Sequence, residues 1–393
     1  MSSVSSDESN KSGFLSDNVG AEVFSTTETD PAAKHGIPQS VVFENNWEKK
    51  PDWFDMETFR RGQAVAMKYY FAISFSEIIT LLMMLTFKDG LAVLTSTGKS
   101  HTPFKSFKRY LSTALRIRSW YTDDIWQPGT EGYKNIKAVR NMHETTFRKI
   151  GYISSEEMER RFTVEELYSS DKSVSVRSSL YETILQDFQE SCPIPEGKSC
   201  FLFTSRKTKI RVVRLQVGYT VAQFGFLGSF LLFPEKFGAH GVTDEEMSSF
   251  LYLWRCLGYA LGMPDQYNLC DGSLESVRER CRDVIRFWVK SNLRELPRDW
   301  EHMSRCLAEG VSYYSPIINF ELLLMFLCDI LDISAHRIRG SLTLSQKVHF
   351  YSVSFVFKFL LRLPGMRQLC NWYTNNSIKW AKNAGGRSIQ KLQ

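Results

Sequence analysis

Lys137-Ala-Val-Arg-Asn-Met-His143-Glu-Thr-Thr-Phe-Arg-Lys-Ile150 is the stretch on which the reading of this chain turns. At the helical step of about 100° per residue, Ile136, Val139, Thr146, Phe147 and Ile150 fall on one arc, with His143 at its centre. Arg140, Glu144 and Arg148 descend the edge at i, i+4 and i+8, where carboxylate and guanidinium pair. The stretch predicts a helix that offers an imidazole to the interior and keeps its charges on the rim. Such a histidine needs a partner. A backbone carbonyl would make it an ordinary core histidine. Haem iron would make it an axial ligand, with the arginines available to propionates. His143-Glu144-Thr-Thr-Phe147 also begins like a zincin signature, but the second histidine is absent, which leaves zinc a ligand short.

The segments on either side read as further helices. Pro103 opens one in which Tyr110, Thr113, Ile117 and Trp120 share a face, and Arg109, Thr113 and Arg116 align at i, i+4 and i+7. The loop Trp126-Gln-Pro-Gly129 is short, so this helix and the His143 helix are expected as antiparallel neighbours. Upstream, a helix from Asp52 is expected to bury Phe54, Phe59, Ala64, Met67 and Tyr70, and to run into or break before the apolar stretch Phe71–Leu85, which carries Glu77. Downstream, Val212–Leu232 is apolar with embedded Gln216, Tyr219, Thr220 and Gln223, which need partners if buried. Thr243 precedes three acidic residues as an N-cap does, and Ser273 opens another helix. Residues 298–334 read as two more helices. Alternating Val/Ile runs and hairpin signals do not recur, so the fold class is all-α, one globular multi-helix domain enclosing a pocket.

The 393 residues suffice for one large core. A net charge of +6 is too slight to argue for nucleic acid. The 8 cysteines are scattered without a C-x-x-C pair, which favours reduced thiols facing the cytosol over a disulfide framework. The polar N-terminus has no apolar h-region, so secretion is not expected. Residues 1–45 read as a disordered tail, 46–340 as the helical domain, and 341–393 as a distinct aromatic and basic segment. That last segment interleaves Phe355, Phe359, Trp372 and Trp380 with Lys358, Arg362, Lys379 and Lys382. It suits a helix resting in a membrane interface on the cytoplasmic side. It suits equally a core closed by aromatics with snorkelling cations.

The order of motifs resembles a known family. Arg140-Asn-Met-His143-Glu-Thr-Thr-Phe-Arg148 resembles the Arg-x-x-His motif of the latex-clearing (rubber) oxygenases and the fungal mpaB-type oxygenases. Gln216–Phe230, Asp244-Glu-Glu246 and Trp254–Gly262 resemble that family's later helices, so the likeness runs from about Trp53 to Val289. It implies haem b with His143 as proximal iron ligand, Arg109 and Thr113 over the distal face, and Arg140 and Arg148 beside the propionates. It implies O2-dependent cleavage or oxidation of C=C bonds in an apolar isoprenoid or lipid substrate. Two departures stand out. Ser112 occupies the family's distal lysine position, and Leu91-Ala-Val-Leu94 has no carboxylate where rubber oxygenases carry an acid, Glu77 and Asp89 being the nearest. They argue against a polymer as substrate. The competing readings are a haem carrier or sensor, and a peripheral membrane protein in which His143 is structural.

Overall fold

The computed structural model describes residues 46–150, 153, 155–164, 180–192, 210–263 and 265–390. The tail expected over 1–45 lies outside them, as do the side chains of Phe147, Ile150, Gln216 and Tyr219. The protein is all-α, and no strand occurs among the described residues. In chain order the helices are α1 (Met56–Lys68), α2 (Tyr70–Met84), α3 (Lys88–Ser96), α4 (Pro103–Thr122), α5 (Glu131–Ile150), α6 (Ser155–Arg161), α7 (Tyr181–Ser191) and α8 (Ile210–Leu232). They continue as α9 (Asp244–Ala260), α10 (Leu274–Asp283), α11 (Lys290–Arg294), α12 (Trp300–Ser312), α13 (Phe320–Ile330), α14 (His336–Ser341), α15 (Leu344–Lys358) and α16 (Met366–Gln390). A π-helical turn, Val284–Val289, joins α10 to α11.

Helix starts obey local chemistry. The Asp55 side chain accepts from the Thr58 amide at 2.7 Å to open α1. Thr102 caps α4 just before Pro103, whose missing N–H is one the first turn could not use. Thr243 with Glu246 and Thr343 with Gln346 form reciprocal capping boxes at α9 and α15.

Helix α1 is rolled relative to the sequence expectation. Phe59, Gly62, Val65 and Ala66 face inward, and Ala64 is exposed. Gly62 explains the roll: α1 packs on α9 so closely that a Cβ here would sit 2.3 Å from the Ser249 carbonyl oxygen. The chain then breaks at Tyr69, and α2 leaves α1 at 83°. Helix α2 packs on α8, α4 on α12, and α4 on α5. The polar residues of α8 that are described find partners. The Thr220 hydroxyl donates to the Tyr267 carbonyl at 2.7 Å, and the Gln223 amide donates to the Trp254 carbonyl and accepts from the Leu269 N–H at 2.8 Å.

The segment 341–393, set apart by composition, is fastened to this body. Phe357 of α15 packs with Phe75 and Phe326 at centroid distances of 4.6 and 5.5 Å. The Asn371 side chain of α16 accepts from the Phe71 N–H at 2.9 Å and donates to the Lys68 carbonyl at 2.8 Å, right at the α1–α2 break. No single helix among the described residues is long and apolar enough to cross a membrane.

Candidate functional site

Helices α4 and α5 are antiparallel neighbours held by a tight corner. The Gln63 amide donates to the Trp120 and Asp123 carbonyls at 2.8 and 2.7 Å, taking up carbonyls at the end of α4. The Asp123 carboxylate accepts from the Gly132 N–H at 2.9 Å at the start of α5. A Cβ on Gly132 would meet the Asp123 Cβ at 3.0 Å, so glycine lets the two helices meet this closely without pushing the corner apart. Asn135 then donates to the Ser119 hydroxyl at 2.9 Å. This corner fixes which faces of α4 and α5 oppose.

On the opposed faces lie Arg109 and His143. Burial, and then the charge of Arg109, lower the His143 pKa to about 4, so the imidazole is neutral at pH 7. Arg109 donates to the Thr97 and Ser100 hydroxyls, both at 3.1 Å. Among the described residues no carboxylate pairs with it, and burial disfavours its charge. A cation held this way favours negative charge nearby.

Glu77, Arg109, Tyr110, His143 and Tyr314 are electrostatic neighbours in series, and each keeps some accessible surface. Apolar residues of the same partly accessible kind adjoin them: Ile78 and Leu81 beside Glu77 on α2, Ala114 on α4 and Met142 next to His143.

Glu77 is the residue the sequence reading passed over. Burial pushes its carboxyl up to about 8, leaving it protonated at neutral pH. The Tyr121 hydroxyl donates to its Oε1 at 3.2 Å. Burial first, and Glu77 second, push the Tyr70 and Tyr121 phenols upward. Electrostatic neighbours run unbroken from His143 to Arg109, Tyr110, Tyr314 and Glu77. The signal was present in the sequence: one glutamate inside an apolar helix is expensive to bury.

The other expected site residues fare differently. The Thr113 hydroxyl donates to the Arg109 carbonyl at 3.1 Å, so its proton is committed to its own helix and the oxygen can only accept. Arg140 is not on the rim. It is buried, and Nη1 donates to the Ala260 carbonyl at 3.3 Å, at the negative end of α9. Arg148 is exposed and ion-paired with Glu144 at 2.7 Å. The structure brings Arg109 and His143 together and leaves Arg148 outside.

Two other features attract less weight. An open cleft of about 310 Å³ near Lys236 and His240 holds polar groups already engaged: Lys236 donates to the Asp329 carbonyl at 2.7 Å and His240 bonds the Phe357 carbonyl at 2.8 Å. Asp187, Glu190 and His336 converge within metal-binding distance, but Asp187 accepts from the Ile338 N–H at 2.9 Å and Arg337 at 3.1 Å, which accounts for its burial. Comparison of the chain with protein-family models, with curated proteins and with solved structures finds no match.

Proposed function

We propose that this chain is a haem b-dependent oxygenase-like protein that uses O2 to cleave or oxidise C=C bonds of an isoprenoid or other lipid. One observation supports the reading: a neutral imidazole, His143 on α5, lies within electrostatic reach of Arg109 on α4, a cation paired with hydroxyls rather than a carboxylate, with partly buried apolar side chains on the same helices. That set suits haem b, which asks for an unprotonated imidazole, an apolar slot and cations for its carboxylates. His143 would hold the iron, and Arg140 is the buried cation on the same helix. Arg148, facing solvent, fits a propionate poorly.

Haem, when bound, supplies the iron at which O2 is activated. The chain's own residues then do separate work. Arg109, anchored by Thr97 and Ser100, stabilises negative charge that develops near it. Glu77 holds a proton at neutral pH and can deliver it to a neighbouring group. Ile78, Leu81 and Ala114 hold an alkene chain by burial. Glu77 takes the place of the acid that Leu91–Leu94 lacks, from a different helix.

The test is spectroscopic. Purified or hemin-reconstituted protein should show a Soret band, and His143→Ala should abolish it. Arg109→Leu should retain the band and lose formation of carbonyl fragments from a polyprenyl substrate under O2. Hemin titration without spectral change removes the proposal, and a stable coloured protein that yields no fragments replaces it with a carrier.

A further inference from the structure

Among the described residues, every strongly exposed large apolar side chain lies between Leu344 and Trp380. On α15, Leu344, Val348, Tyr351 and Phe355 recur at i, i+4, i+7 and i+11, a single helical stripe. The opposite side of that helix is equally apolar, burying Phe350, Val353 and Phe357 in the core. Leu363 carries the row across the turn to α16, where Leu369, Trp372 and Trp380 continue it. Trp372 is 63 % exposed and Trp380 56 %. Isolated apolar residues at a surface are ordinary, but a continuous row ending in tryptophans is not.

Charge identifies what covers the row. After Asp332 the chain has ten lysines and arginines and not one aspartate or glutamate, although the whole chain is only +6. The remainder is thus net negative. Arg337 and Arg339 are spent on Glu190 and Asp329 of the body. No ion pair among the described residues holds Lys347, Lys358, Lys379 or Lys382, which flank the row.

We infer that the outer face of α15 and α16 docks on an anionic lipid bilayer, with the aromatic rings at headgroup level and the lysines among the phosphates. Tryptophan and tyrosine favour that depth, and each nearby cation adds attraction to an acidic leaflet. A second copy of this chain is the poorer occupant, because pairing two such faces sets like charges against each other. The helices lie flat rather than insert. Asn371 bonds α16 to the α1–α2 corner, Arg118 donates to Asn375 at 2.7 Å, and Ile378 and Ala381 are buried against the body, so only the opposite side meets lipid. The inference stands independently of the haem reading.

The experiment is vesicle flotation of the full-length chain. Vesicles of phosphatidylcholine with about one third phosphatidylserine are compared with phosphatidylcholine alone. The mixed vesicles should carry the protein up the gradient, shift tryptophan emission to the blue, and release the protein as salt is raised to about 0.5 M. Trp372→Ser with Trp380→Ser should lower the partition constant at least about tenfold. Lys379→Glu with Lys382→Glu should remove the preference for phosphatidylserine, and Phe355→Ser on the other helix should weaken binding in the same direction. All five side chains are exposed, so far-UV circular dichroism should not change. Absence of flotation, equal flotation on phosphatidylcholine alone, or unchanged partition of the tryptophan variant overturns the inference. So does a concentration-dependent dimer that the tryptophan variant dissociates, which would assign the face to a second copy.

Discussion

Glu77→Gln tests the interior acid directly. In the folded protein the carboxyl titrates at about 8, against 4.5 for the ordinary group. A raised folded value means that the contribution to stability is complete below about pH 4.5 and is lost as pH rises through about 8. At about 1.4 kcal/mol per unit, the loss approaches about 5 kcal/mol above pH 8 and about 3 kcal/mol at pH 7. Those figures are ceilings, since Glu77 keeps some accessible surface and solvent screens part of the charge. Glutamine cannot ionise and keeps the oxygen that accepts from Tyr121. Urea unfolding followed by circular dichroism should therefore find the variant within about 1 kcal/mol of wild type near pH 5. Near pH 8.5 the variant should be the more stable by about 2–5 kcal/mol. Comparing the two proteins at each pH cancels every other titrating group. An equal difference at both pH values refutes the reasoning, because the carboxyl would then be charged at neutral pH and unable to hold a proton for the site.

Three further outcomes follow from other parts of the fold. His143 titrates at about 4 against an ordinary 6.5, so its neutral ring contributes stability present above about pH 6.5 and lost as pH falls through 4. Its imidazole NMR signals should stay fixed down to about pH 5.5, and Arg109→Leu should raise the midpoint; an apparent pKa near 6.5 in wild type refutes the enclosure. Gly310→Ala should cost about 1–3 kcal/mol in urea unfolding, because the new Cβ would lie 2.6 Å from the Phe107 nitrogen and force α4 from α12; a stabilised variant would show that the crossing is looser. Asp187→Ala should cost about 2–4 kcal/mol, since it strands the Ile338 N–H and Arg337 between α7 and α14; a loss below about 0.5 kcal/mol would mean that water replaces the carboxylate.

Much of the helical plan was legible in periodicity. The arc through Ile136 and Val139, the proline at the start of α4, the Thr243 cap and the short loop that makes α4 and α5 neighbours all rest on local rules. What was not legible came from contacts distant in the chain. Arg140 lies at the edge of its helix by angle alone, yet the end of α9 arrives to accept from it and buries it. Gly62 rolls α1 because a carbonyl nearly 190 residues later needs the room. Glu77 drew no weight because a family's acid was sought at one place in the sequence, whereas a site can receive a carboxyl from any helix around it. The C-terminal aromatics divided in two: Phe350 and Phe357 close the core, and Tyr351 and Phe355 do not. A stripe that is apolar on both sides gives no period by which to tell them apart.

The Asn371 contact makes the last helix a brace as well as a surface. Where α1 stops and α2 starts again at 83°, the carbonyls of Met67 and Lys68 and the N–H of Phe71 have lost their places in a continuous helical ladder, and one carboxamide on α16 serves all three. Trimming the chain before Met366 would strip the corner of its support and loosen the root of the helix that carries Glu77. A shortened protein would thus carry a weakened α1–α2 corner into any test of lipid attachment.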